Sequence, residues 1–318
     1  MYGGFGGAPK FPHPMELALF LRLGRKTGDL NYLLAAEKTL QGMMCGGVYD
    51  QVGGGFARYS TDERWLVPHF EKMLYDNALL VPVYADAWRI TGNERYRATV
   101  RDTLDFLIRE LHDCGGGFYS AIDADSDGEE GRFYLWGKSE IERLLGADAE
   151  LFCRYFNVTE QGNFEGRNIL HIDSRADHVR RDSGLSETEF NAVINRCRAG
   201  LLHERSHRVR PITDDKVLTS WNGLAIAALC AGYQITGERR YLESAAANAR
   251  FIRNELWREG ALTHAWRAGV HMRGEFLEDY AFYIHGLLAL IQTDSSADSF
   301  QWVGFAVELA QKGVSLFQ

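Results

Sequence analysis

The sequence predicts an all-α chain built as an array of helical hairpins, and three observations predict it. One phrase, Thr-Gly-x-x-x-Tyr, occurs three times, at Thr27-Gly28-Asp29-Leu30-Asn31-Tyr32, Thr91-Gly92-Asn93-Glu94-Arg95-Tyr96 and Thr236-Gly237-Glu238-Arg239-Arg240-Tyr241. Glycine after threonine ends a helix by tolerating positive φ, and the tyrosine opens the return. The returns carry stripes at helical spacing: Tyr96, Val100, Leu104, Leu107 and Leu111 in one copy, Tyr241, Ala245, Ala249, Ile252 and Leu256 in another. The runs before each stop, such as Leu224 to Ala231, are apolar nearly all round and too short to span a bilayer, so they read as inner helices.

Taken in order, the first inner helix follows Pro12-His13 and turns at Thr27-Gly28. Gly46-Gly47 and Gly53-Gly54-Gly55-Phe56 then punctuate the chain before the second inner helix, which begins near Asp76 and should kink at Pro82. After the second return, Gly115-Gly116-Gly117-Phe118-Tyr119 makes another tight turn. Lys138 to Gly146 reads as helix, Gly162 to Asp182 as a long polar loop, and Ser186 to Arg205 as a helix opened by a Ser186/Glu189 capping box. The third copy follows. A poorer fourth begins at Asp279-Tyr280-Ala281 and reaches Thr293-Asp294 after fourteen residues instead of fifteen.

Composition narrows the function. The 318 residues are 46% hydrophobic and 25% charged, enough for a large core, and the repeats favour one domain over 1–318. Lys plus Arg against Asp plus Glu gives 35 − 43 = −8 with no long basic run, which excludes nucleic acid as the expected partner. The five cysteines form no C-x-x-C pair and are odd in number, and neither signal peptide nor membrane anchor is visible, so the expected setting is cytoplasmic. The sequence calls for no metal and no cofactor, and leaves the oligomeric state open.

Chemistry concentrates at the inner-helix starts. Trp65 to Asn77 packs aromatic rings, His69, Glu71, Asp76 and Asn77 into thirteen residues, the mixture a sugar site needs: rings stack on C–H faces while carboxylates and amides bind hydroxyls. Asp76 also fits a helix cap and His69 a structural histidine. Asp123-Ala124-Asp125-Ser126-Asp127-Gly128 opens like a calcium loop, but Tyr134 stands where the bidentate glutamate belongs, so an acidic turn or a carboxylate pair beside Tyr119 and Trp136 is the better reading. Asp214-Asp215-Lys216 leads into Thr219-Ser220-Trp221-Asn222. Aligned by their corners, the four copies present Pro12/His13, Asp76/Asn77, Trp221/Asn222 and Asp279/Tyr280 at one level. If the inner helices run parallel in a ring, these side chains meet at one end of it.

Gly3 to Pro12, Tyr49 to Phe56, Trp65 to Asn77, Tyr119 to Ser126 and Asp214 to Gly223 together resemble the thioredoxin-domain-containing family that includes spermatogenesis-associated protein 20. The resemblance implies an (α/α)6 toroid of the six-hairpin glycosidase type, similar to N-acylglucosamine 2-epimerases and unsaturated glucuronyl hydrolases. Against that pattern the family's N-terminal thioredoxin-like domain is missing here, and the chain stops at Gln318 where further hairpins would follow. The expected catalytic residues are His69, Asp76, Asp123 and Asp279. The expected sugar-binding residues are His13, Trp65, Glu71, Tyr75, Asn77, Asp125, Trp136, Asp215, Trp221, Asn222 and Tyr280. An epimerase would use His69 and His13 as base and acid, whereas a hydrolase would use two of the carboxylates. A sugar-binding toroid without catalysis, or the docking part of a redox protein, are the other readings.

Overall fold

All three Thr-Gly corners lie between helices. In a computed structural model, which describes residues 2–296 and 300–318, the helices are α1 Pro14–Thr27, α2 Leu30–Cys45, α3 Leu74–Thr91, α4 Glu94–Phe106, α5 Lys138–Leu145, α6 Ala149–Tyr155, α7 Ala176–Asp182, α8 Glu187–Arg205, α9 Thr219–Thr236, α10 Arg239–Phe251, α11 Leu277–Thr293 and α12 Phe300–Phe317. The strands described are two or three residues long. At the corners Gly28, Gly92 and Gly237 have φ of 76°, 69° and 73°, the left-handed conformation that lets a helix stop and reverse. Threonine has its own task there. Its hydroxyl accepts the N–H two residues on, from Asp29, Asn93 and Glu238 at 3.2 Å each, covering a donor at the start of the return helix.

By compactness the chain divides into two units. Unit 1 comprises 1–13, 26–71 and 123–212; unit 2 comprises 14–25, 72–122 and 213–318. The repeats do not foretell this division, because most of unit 1 lies outside the copied phrase.

In unit 2, α9 packs against both α3 and α11. The contacts give the direction. At one end Ser220 of α9 meets Asp279 of α11, and at the other Gln234 meets Thr293, with 59 residues of separation in both pairs. Such constant spacing holds only for parallel helices in register. Against α3, Trp221 meets Tyr75 near the start, while Gln234 meets Arg89 near the end. The three inner helices of this unit are therefore parallel and begin together. α9 and α11 also approach closely: a Cβ on Gly223 would strike the main chain of Phe282, and one on Gly286 would stand 2.5 Å from the Gly223 carbonyl oxygen. Pro82 lies inside α3, which continues past it as one helix.

The return helices end alike. α4 runs into a π-helical turn over Leu107–Leu111 and α10 into one over Ile252–Leu256. A π-turn inserts one residue while keeping the flanking stripe inside, and Leu107, Leu111, Ile252 and Leu256 are all fully buried.

Unit 1 holds α2 and α5 to α8, of which α5, α6 and α8 contribute to a core of Trp136, Ile141, Phe152, Phe156, Phe190, Ile194 and Leu201. The Ser186/Glu189 capping box opens α8 as expected. The expected long loop over 162–182 is corrected at its end, where α7 forms. It is a short helix of seven residues anchored by buried Ala176 and Val179, with the Asp173 carbonyl taking the N–H of Ala176 at 3.2 Å. Two anchors give no readable period. The Gly53-Gly54-Gly55 loop is tied down by Asp50, whose carboxylate accepts the N–H groups of Val52 and Gly53 at 3.0 Å and the Arg205 guanidinium at 2.9 Å. Both charges are buried, and Arg205 lies over the rings of Phe133 and Tyr134. Arg205→Met is thus expected to cost about 3–5 kcal/mol, since it strands the Asp50 carboxylate. Asp50→Leu added to it should restore much of the loss. Urea titrations of the two variants check this, and a neutral single variant would refute it.

Candidate functional site

The site is built at the common start of α3, α9 and α11 in unit 2. Two short sheets set this level: Lys72–Met73 with Ala121–Ile122 and Thr213–Asp214, and Val217–Leu218 with Ala265–Arg267 and Val270–Met272. One strand of each sheet passes directly into a helix, Met73 into α3 and Leu218 into α9.

Asp279, in the first turn of α11, is 1% exposed. One carboxylate oxygen accepts the backbone N–H of Ser220 at 3.0 Å, and the other pairs with Nδ1 of His264 at 3.0 Å. Burial pushes its carboxyl above the usual aspartate range, and the bonds from His264 and Ser220 oppose that shift. His264 keeps 20% of its side chain exposed and leans on Phe276 with ring centroids 4.4 Å apart. A histidine whose Nδ1–H is held by a buried carboxylate offers Nε2 as proton acceptor, the arrangement of an oriented general base. Tyr75 and Trp221 touch at 4.8 Å with planes tilted by 56°, both half-buried, and form an aromatic platform at the same helix starts. Asp76 is buried in the first turn of α3.

Other expected residues of unit 2 have structural bonds. Asn77 donates to the Met73 carbonyl at 2.8 Å and Asn222 to those of Leu218 and Phe118 at 2.9 Å, and both amides are fully buried. Tyr280 is buried and its hydroxyl accepts the Leu262 N–H at 3.1 Å. Asp215 pairs with Arg267 at 2.5 Å and Asp214 with Lys216 at 2.6 Å. Tyr119 donates to Asp113 at 2.9 Å, and burial together with that carboxylate pushes its phenol up to about 12.

The remaining candidates belong to unit 1. His69 stacks on Tyr59 at 5.0 Å, pairs with Glu130 at 2.8 Å through Nδ1 and stands 3.7 Å from Glu71 through Nε2, while Arg58 holds Glu71 at 3.1 Å. Trp65 is fully buried and its indole donates to the Tyr2 carbonyl, so it offers no exposed stacking face. Trp136 is likewise buried, with Arg208 over its ring at 3.9 Å. His13 meets Phe5 edge-on at 5.4 Å. Asp123 and Asp125 are exposed, and the acidic run is the turn of a β-hairpin, Asp125–Ser126 with Glu129–Glu130, turned by Asp127 and Gly128 at φ of 55° and 76°.

The sequence reading missed His264. It sits on a loop ahead of a strand, away from the helix starts where the repeats direct attention. The available signal was the turn Glu259-Gly260 after the third return, the counterpart of Gly115-Gly116-Gly117.

No protein-family profile matches the chain. Spermatogenesis-associated protein 20 of Homo sapiens is 33% identical over 99% of this chain and 45% of its own length. The chain is a homologue of spermatogenesis-associated protein 20. It spans less than half the length of that relative and of the Rattus norvegicus one, of which 43% is covered at 34% identity. Cellobiose 2-epimerase of Bacteroides fragilis is 28% identical over 45% of this chain and 39% of its own. Among solved structures, the GH76A alpha-1,6-mannanase of Salegentibacter sp. HEL1_6 superposes with a TM-score of 0.53 at 16% identity, covering 95% of this chain and 61% of that one. That likeness gives the fold class, the helical toroid of glycosidase type. No described helix is long and apolar enough to cross a membrane.

Proposed function

We propose that the chain is a carbohydrate-active toroid that moves a proton at a sugar carbon, an epimerase or isomerase in reaction type. The observation that carries the reading is the His264–Asp279 pair at the shared start of the inner helices, beside the Tyr75–Trp221 platform. With Asp279 holding Nδ1–H, the neutral imidazole takes the proton from the carbon next to an open-chain sugar's carbonyl. The C–H electron pair passes into an enediolate, and reprotonation from the opposite face, by a second acid, gives the epimer. A hydrolase fits less well. It wants two available carboxylates, and in unit 2 Asp279 is committed to His264 and to the Ser220 N–H. The similarity to cellobiose 2-epimerase supports the same choice, and the bound mannotriose of an inactive variant of the mannanase supports a sugar as ligand. A reducing, cytoplasmic setting accords with five cysteines none of which is disulfide-bonded among the described residues.

The test is solvent exchange. In deuterium oxide with cellobiose, mannobiose or a panel of reducing monosaccharides, the C2 proton signal of at least one sugar should decay as its epimer appears. Absence of exchange across the panel would sink the reading.

A further inference from the structure

His264 has a counterpart one hairpin earlier. Met73 pairs with Ala121 and Leu218 with Ala265, and in each case the next residue begins the helix and donates its N–H back across the sheet: Leu74 to the Ser120 carbonyl at 2.9 Å, Thr219 to the His264 carbonyl at 3.0 Å. Ser120 and His264 therefore occupy one place in the repeat, and Leu74 and Thr219 another. In the earlier hairpin neither place carries an acid or base: Ser120 donates to the Asp214 carbonyl at 3.0 Å, and Leu74 is simply buried. In the later hairpin both places change together. Thr219 is fully buried, and its hydroxyl donates at 2.6 Å to the carbonyl of Thr263, the residue before the histidine.

The hydroxyl is not needed to form the helix start. Asn77 and Asn222 secure that turn in the same way in both copies, each donating to the carbonyl four residues back, and α3 begins without a hydroxyl at Leu74. What the Thr219 hydroxyl adds is a second tether from α9 to the histidine's own segment, which Met272 and Leu256 hold from the other side. The first turn of α9 thereby holds both partners: Thr219 N–H and Oγ grip the carbonyls of His264 and Thr263, and Ser220 N–H grips Asp279. We propose that Thr219 is a positioning residue for His264, orienting the imidazole so that Nδ1–H faces Asp279. This rests on reading His264–Asp279 as the proton carrier.

The experiment is ¹⁵N NMR of the full chain labelled on histidine, at about pH 9 so that neutral imidazoles dominate, with His264 assigned by loss of its signals in His264→Asn. Wild type should show the Nδ1–H tautomer in excess. In Thr219→Val, which keeps the methyl and shape but removes the hydroxyl, the ratio of Nδ1–H to Nε2–H should fall at least about threefold. Thr219→Ser should restore it. Circular dichroism confirms that the variant keeps its helix content, and Thr219→Ala is judged in its place if it does not. An unchanged tautomer ratio in the folded hydroxyl-free variant overturns the role of Thr219 and leaves the pair standing. A wild-type protein with no Nδ1–H preference overturns both.

Discussion

His264→Asn is expected to slow deuterium exchange at the sugar carbon by at least about 1,000-fold, roughly 4 kcal/mol of transition-state stabilisation, while sugar affinity stays within about tenfold. Asparagine matches the imidazole in outline and can still donate to Asp279, but it cannot take up a proton at neutral pH. Asp279→Asn should cost about 100- to 10,000-fold, because an amide next to Nδ1 no longer enforces the tautomer that leaves Nε2 open. Trp221→Ala makes the opposite demand: it removes a stacking face, so affinity weakens more than the exchange step. Rates and affinities measured on the three variants separate an enzyme from a binder. Exchange surviving above about a tenth of wild type in His264→Asn would remove the histidine from the mechanism.

Gly223→Ala should be the most destabilising small change in unit 2, costing about 3 kcal/mol. The added methyl would strike the main chain of Phe282 in α11, and backbone cannot rotate away as a side-chain tip can. Gly304→Ala is the control with the opposite sign. That glycine is mid-helix in α12 with nothing within 4 Å of a Cβ, so alanine there should stabilise by about 1 kcal/mol through helix propensity. Thermal unfolding of both variants decides, and equal effects would mean that α9 and α11 are not packed as closely as described.

Much of this fold was legible because its information is local. Thr91-Gly92 and Thr236-Gly237 announce the corners by residue type alone, the capping box at Ser186 marks its helix, and the stripes from Tyr96 and Tyr241 name their buried faces. What stayed hidden depends on contacts distant in sequence. The π-turns at Leu107–Leu111 and Ile252–Leu256 preserve the stripe, so the inserted residue leaves no break in the pattern. At the site, the level shared by Asp76, Trp221 and Asp279 could be read from the repeat, whereas the partner of Asp279 could not. His264 stands where the preceding copy has Ser120, and similarity between copies cannot point to a position at which they differ. Composition also misled: Trp65 and Trp136 look like platforms for a sugar, yet both are fully buried. A ring can serve a core as readily as a ligand.

The grip on Asp279 has an evolutionary consequence. Its donor is a main-chain N–H, and the Thr219 N–H and His264 carbonyl that help fasten the loop to α9 are main-chain groups too, beside the Thr219 hydroxyl. Codon changes at Ser220 exchange the side chain and leave that N–H in place, with proline the exception because it lacks one. The main-chain part of the scaffold is therefore robust to mutational drift, while the Thr219 hydroxyl and the chemical half, an imidazole and a carboxylate, can be gained or lost by side-chain substitution. A copied hairpin of this kind can acquire or discard an acid–base function without having to rebuild the architecture that aims it.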